Sequence, residues 1–247
     1  GGIIAMLSFL NVAMTVSTQR YLSFYQGRND ELKQKKVFAN SLIIHVFIGL
    51  LVVISLELLG VFIFDGFLKI PNDRLFAAKT IFHFMSLTIF FTILSVPFTA
   101  CLNARENIVY TVVVNILESL LKLGIALLLL MVTADRLIVY GILTASIGVF
   151  TFILYAIFCL NKYYECTLSI KKYYDKVLIK ELTSFASWNL FGTLAGIGRI
   201  QGLAIIFNLF FGAIVNAAYG IANQVSGQLS FFSLTIMRAL NPQIMKS

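Results

Sequence analysis

An all-α, multi-pass transmembrane helical bundle of about seven spans is the fold this sequence predicts, and three observations predict it. Hydrophobic residues fill 59% of the 247 positions, mean hydropathy is +0.90 and only 12% of residues are charged, unlike the composition of soluble domains. Seven apolar runs are each long enough to cross a bilayer as a helix rising about 1.5 Å per residue. The basic residues gather in the short segments between those runs, where orientation rules account for them. The net charge of +8 therefore implies no nucleic-acid partner.

The run over 1–18 is apolar from its first residue and lacks the basic start of a signal peptide, so it reads as a helix entered part-way. The end just past Pro242 is as abrupt, and the chain reads as an internal fragment. The segment 19–36, QRYLSFYQGRNDELKQKK, is strongly basic, with Tyr21, Phe24 and Tyr25 suited to the headgroup level. A span over 37–64 follows, with His45 one turn beyond Ser41 and Glu57 near the far end. No second ligand stands at i+4, so His45 reads as bonded to a neighbouring helix rather than to a metal, and His83 is read the same way. Glu57 reads as reaching the interface. The loop 65–74 leads to a span over 77–101 that Pro97 bends near its end.

The turn 103–107, NAREN, opens a span over 108–131 on which Thr111, Asn115, Glu118, Ser119 and Lys122 form one polar stripe. A polar stripe in lipid must face protein or water. Glu118 and Lys122 stand at i and i+4 with the acid N-terminal, the favourable order, so mutual neutralisation is one reading. The other is a cavity lining in which Lys122 meets an anion, or Glu118 a proton or cation. The span over 137–160 carries Gly141, Ala145, Gly148 and Phe152 on one face, a pattern for close helix packing. Residues 161–181, NKYYECTLSIKKYYDKVLIKE, break the apolar pattern with five lysines and four tyrosines. They read as an amphipathic cytoplasmic connector, long enough for a surface helix, between a first bundle (1–160) and the start of a second (182–247).

The span over 185–211 holds one charge, Arg199, which shares a helical face with Asn189, Gly192, Gly196 and Gly202. A guanidinium at mid-bilayer costs about 2.5–3.5 kcal/mol on insertion scales, so a polar cavity or an anionic partner is its expected environment, against a purely structural bond to neighbouring carbonyls. The last span, 216–240, sets Asn216, Gly220, Asn223, Gly227 and Ser230 on one face, read as bordering the same space. Segments 19–36, 103–107, 161–181 and 238–247 hold thirteen Lys and Arg, and segments 65–79, 133–136 and 212–215 hold four. The first set is expected in the cytoplasm and the second outside. Cys101, Cys159 and Cys166 lie near cytoplasmic helix ends without C-x-x-C spacing and read as free thiols.

Several short motifs in order carry a family resemblance: Gln19-Arg20-Tyr21-Leu22-Ser23 with Gly27, Val96-Pro97-Phe98, Ala104-Arg105-Glu106-Asn107, Lys122-Leu123, Trp188-Asn189-Leu190-Phe191-Gly192, Asn216-Ala217-Ala218-Tyr219-Gly220-Ile221-Ala222 and Asn241-Pro242-Gln243-Ile244. With these the chain resembles, along its whole length, the polysaccharide-transporter branch of the multidrug/oligosaccharidyl-lipid/polysaccharide flippase superfamily. The resemblance implies a MATE-like fold of two helical bundles, incomplete here, in the bacterial inner membrane, without cofactor or metal. It implies flipping of a lipid-linked oligosaccharide for O-antigen or capsule synthesis, with membrane lipids, a coupling ion (H⁺ or Na⁺) and polysaccharide-assembly proteins as partners. On that template Arg199 would hold the pyrophosphate, Lys122 would add charge if free of Glu118, and Asn115 and Asn223 would meet sugar hydroxyls. Two other classes stay open, beside a packing-only or channel-forming subunit, which would leave the polar stripes without a purpose. An ion-coupled exporter of organic cations would want dominant intramembrane carboxylates. A membrane-embedded glycosyltransferase would want a catalytic cluster, and the sequence has no H-E-x-x-H, D-x-D or Gly-rich phosphate loop. No catalytic residue is assigned.

Overall fold

The structure, a computed structural model, describes residues 2–62, 64 and 74–246. Every regular element among them is helical: α1 (Gly2–Gly27), α2 (Glu31–Phe62), α3 (Leu75–Leu94), α4 (Val96–Ala104), α5 (Ile108–Met131), α6 (Arg136–Lys162), α7 (Ile170–Tyr173) and α8 (Lys176–Lys246). Among the described residues four stretches are long and apolar enough to cross a membrane: Glu31–Phe62, Leu75–Ala104, Ile108–Met131 and Arg136–Lys162. Their outward faces are paved with exposed Leu50, Leu51, Ile54, Leu58, Val112, Val113, Ile116, Leu120 and Leu127. An exposed apolar surface of that extent marks a membrane protein rather than a water-facing one.

Local chemistry sets the helix ends. Asp30 accepts from Lys33 N at 3.0 Å ahead of α2, Asn107 accepts from Tyr110 N at the start of α5, and Asp135 accepts from Leu137 N at 3.0 Å at the start of α6. The segment 19–36 is not the loop its charge suggests. α1 runs on to Gly27 and α2 begins at Glu31, so both helices extend past their apolar stretches and only three residues join them. Pro97 sits in the first turn of α4, where its missing N–H is harmless, and α3 and α4 meet end to end at Ser95.

α3 packs against α6 through the predicted glycine face. A Cβ at Gly141 would stand 3.2 Å from Ile81 Cγ1, and one at Gly148 would stand 3.2 Å from Thr88 Cγ2. The core lies where α1, α2, α4 and α6 converge, around Val37, Phe38, Phe98, Leu102 and Cys101, all 2% exposed or less. The Phe38 and Phe98 rings meet edge to face at 5.3 Å, and Phe152 continues the stack at 5.9 Å from Phe98.

The segment 161–181 is not one amphipathic surface helix. After α6 it runs through turns that bury Glu165 and Cys166, makes the single-turn α7, and at Asp175 starts α8. Asp175 accepts from Val177 N and Leu178 N as a cap, while Lys36 donates to it at 3.1 Å. Buried Asn40 completes the junction, donating to Tyr173 O and accepting from Asp175 N.

α8 breaks at Gly212, whose φ of 79° and ψ of 178° suit glycine alone. Phe207 and Tyr219 meet edge to face across the break with centroids 4.7 Å apart. Each limb is about 50 Å long. Asp175 ahead of the first limb bonds Lys36, and Gln243 near the end of the second donates to Glu106 at 2.7 Å, at the same end of the molecule. Only a fold-back at Gly212 satisfies both contacts, so α8 is a helical hairpin. The expected connection over 212–215 shrinks to one residue.

Candidate functional site

The expected cytoplasmic segments gather at one end of the bundle, and Arg105 ties them together. Its guanidinium forks onto Glu165, with Nε to Oε1 and Nη2 to Oε2 both at 2.7 Å, and reaches Gln34 Oε1 at 3.5 Å. Tyr164 donates to the same Gln34 oxygen at 2.9 Å, and its ring lies 4.9 Å from the Arg105 guanidinium. With its amide oriented to match its neighbours, Gln26 donates to Ala104 O and accepts from Arg105, each at 3.0 Å. Glu165 is 2% exposed, so this is a buried, bidentate pair of the strong kind. The hydrogen bonds that Arg105 donates to Glu165 raise its pKa further above its already high ordinary value, so the charge is permanent. At the opposite end Arg74 donates to Asp135 at 3.2 Å, joining the two segments expected outside. The rest of the expected external loop, 65–73, lies outside the described residues.

Beside the Arg105 junction α1, α5 and the returning limb of α8 enclose a cavity of about 340 Å³. Its polar lining is Asn11, Thr15 and Gln19 from α1, Asn103 and Asn115 from α4 and α5, Thr111 from α5 and Asn241 from α8. Asn11, Thr15 and Gln19 recur every fourth residue and so form one face of α1. The remaining lining is Val16, Ile108 and Val112, with no charged side chain. Thr111 Oγ1 is buried without a hydrogen-bond partner, and Tyr155 donates to Asn115 Oδ1 at 3.3 Å. Each amide offers both donors and acceptors, so the cavity can take up neutral hydroxyl groups in either sense.

Of the residues expected to form a site, Asn115 alone lines this cavity. Glu118 and Lys122 lie one to two turns further along α5, outside the lining, and are paired at 2.6 Å. Arg199 is exposed on the first limb of α8, and Asn223 is half-buried on the second. The glycine faces of these limbs are open: a Cβ at Gly192, Gly196, Gly202, Gly220 or Gly227 would meet nothing within 4 Å.

Three features went unread in the sequence. Gln34, Arg105 and Glu165 lie 60 or more residues apart, beyond any local pattern, although an acid isolated in a lysine-rich connector was a signal. The α1 stripe of Asn11, Thr15 and Gln19 was legible by spacing and passed over as interior helix. The third is at the far end of α2, where His83 Nδ1 and Glu57 Oε2 pair at 2.8 Å beside a smaller cavity of about 250 Å³ lined by Phe64, Lys79 and Phe82. His83 on α3 is thus bonded to the neighbouring helix α2, as expected, with Glu57 as the partner the sequence did not name. His45 is different. It donates to Ser41 O one turn back on its own helix at 2.6 Å, and the link to a neighbouring helix is made by Thr18 and Ser41, whose hydroxyls are 2.8 Å apart.

Fold and site together define a helical membrane protein with a polar, charge-free cavity between its helices. No family model matches the chain, and comparisons with curated proteins and with solved structures find no match either. Among the described residues no group of three or more His, Cys, Asp and Glu is set to hold a metal ion.

Proposed function

We propose that this chain is part of a transporter that flips a lipid-linked oligosaccharide across the bacterial inner membrane, as the resemblance to polysaccharide flippases implies. On this reading α1 and the two limbs of α8 also cross the membrane, giving seven spans of a MATE-like two-bundle fold, and the Arg105 end faces the cytoplasm. The observation that carries it is the cavity between α1, α5 and the returning limb of α8, lined by four asparagines, one glutamine and two threonines without a charge. A sugar carries many neutral hydroxyls and no net charge, and amides satisfy hydroxyls at both donor and acceptor. A cavity of this size lies within the usual range for small-molecule sites.

Arg199 is the cation for the pyrophosphate, since the open glycine face around it admits a bulky headgroup and its fork matches phosphate oxygens. Lys122, engaged by Glu118 at 2.6 Å, contributes charge only when that pair opens. Asn223 belongs to the limb that closes the cavity at Asn241. Alternating access rocks the α8 hairpin against the first bundle, with the 161–181 connector as its anchor. H⁺ or Na⁺ is the coupling ion, polysaccharide-assembly proteins are the neighbours, and no catalytic chemistry is assigned. The exporter reading is weaker because the two carboxylates within apolar helices, Glu118 and Glu57, are already paired with Lys122 and His83.

The test uses the full-length gene product in lipid nanodiscs, with native mass spectrometry reading bound polyprenyl-pyrophosphate oligosaccharide and bound sugar-free polyprenyl pyrophosphate. Thr111→Val with Asn115→Leu is expected to weaken the oligosaccharide about tenfold or more, as unpaired hydroxyls in a pocket cost at least about 1.4 kcal/mol, and to leave the sugar-free lipid unchanged. Equal weakening of both lipids, or of neither, contradicts a sugar role for the cavity.

A further inference from the structure

The three cysteines of this chain stand far apart in sequence and meet at one point. Cys101 on α4, Cys159 near the end of α6 and Cys166 in the connector are all buried and reduced. The Cys166 thiol donates to Cys101 Sγ at 3.4 Å, and the Cys101 thiol points to Glu165 Oε1 at 3.5 Å. Cys159 belongs to the same buried cluster and donates to Phe98 O at 3.6 Å. The cluster is not poised for a metal. Both Glu165 oxygens are held by Arg105, and the Cys159 thiol is committed to a carbonyl.

From this arrangement we propose that Cys101 and Cys166 form a thiol–disulfide modification site, which a peroxide oxidant closes to staple the connector onto α4. Peroxide takes one thiol to the sulfenic acid, leaving one water. The neighbouring thiol then attacks that sulfur, the S–S bond closes, and the second water leaves with the oxygen. Two thiols are thereby oxidised by two electrons and one peroxide is reduced. A dithiol reverses the bond by exchange through a mixed disulfide. The site lies next to Arg105, so the staple holds the same joint that the Arg105–Glu165 pair holds electrostatically. In a reducing cytosol such a bond is transient. The inference is independent of what the protein transports.

The test is made on the full-length gene product in isolated membranes treated with hydrogen peroxide, then alkylated, digested without reductant and read by mass spectrometry. The expected product is a peptide pair joined through Cys101 and Cys166, lighter by two hydrogens than its parts and released by dithiothreitol. It is retained in Cys159→Ser and lost in Cys101→Ser and Cys166→Ser. Oxidised protein is also expected to unfold at a higher temperature than reduced protein, with the shift removed by dithiothreitol and absent in Cys166→Ser. Recovery of Cys101 and Cys166 as separate alkylated or sulfinic peptides overturns the site. An unfolding temperature indifferent to oxidation overturns the staple.

Discussion

Arg105 matters because of what surrounds it. Its half-buried charge sits on a buried acid, and the cost of stranding that acid without its partner is about 3–5 kcal/mol. Arg105→Ala or Glu165→Gln is therefore expected to lower the unfolding temperature of detergent-solubilised protein sharply, while Arg105→Met with Glu165→Gln together costs less than either single change. A double variant that is worse than both singles would remove the pair from its clamping role. Glu118 and Lys122 present the contrasting case. Their i,i+4 spacing makes the ion pair legible from sequence, because the helix itself sets the distance. Arg105 stands in a motif the sequence reading quotes, but its acid arrives 60 residues later through a turn, and no local periodicity encodes that meeting. Of the five residues singled out for a site, Asn115 is where a cavity exists, since it shares its helix face with Thr111 and the sequence stripe captured that face.

At the scale of elements, hydropathy locates apolar stretches well and helix ends poorly. The expected span 108–131 coincides with α5 because Asn107 caps it where the apolar run begins. Over 19–36 apolar residues give way to basic ones while the backbone stays helical on both sides of a three-residue turn, so a boundary drawn by composition falls inside two helices. The hairpin at Gly212 was legible as a break without charge, but not as a one-residue turn. Its backbone lies in a region essentially reserved for glycine, and forcing a side chain there costs about 1–3 kcal/mol. Gly212→Val is thus expected to reduce the amount of folded protein several-fold by size-exclusion profile, whereas Gly220→Ala, in open space on a regular limb, leaves it unchanged. Equal effects of the two would count against the hairpin geometry. Asp175 gives the other element-scale expectation. The Lys36 hydrogen bond, then the backbone N–H of Leu178, hold its carboxyl below the ordinary carboxylate range. Its contribution is complete above that ordinary range and fades as pH falls through the depressed value. Asp175→Ala is expected to cost about 1 kcal/mol at neutral pH as a lost cap, and the difference from the parent protein should shrink at strongly acidic pH.

For the whole molecule the fold class was legible because lipid requires long apolar helices, and composition alone reports that demand. The meeting of α1 with the returning limb of α8 was not, because it depends on a single glycine far from both. The account expects all segments at the Arg105 end to face the cytoplasm. Single cysteines at Lys33 and Lys172, in a background freed of native cysteines, should react with an impermeant maleimide only in inverted vesicles, and one at Thr133 only in intact cells. Labelling of Lys172 from outside would invert the orientation and the proposed direction of flipping with it.

The central claim is that the amide cavity and Arg199 together carry a sugar-bearing lipid phosphate. Surface polysaccharide restored in a flippase-null host, normalised to membrane-inserted protein, tests it most directly. Thr111→Val with Asn115→Leu and, separately, Arg199→Ala are predicted to cut polysaccharide per inserted molecule by about tenfold or more, corresponding to at least about 1.4 kcal/mol of lost recognition, with Arg199→Lys falling between Ala and the parent protein. Undiminished polysaccharide per molecule in both the cavity and the arginine variants would contradict the account.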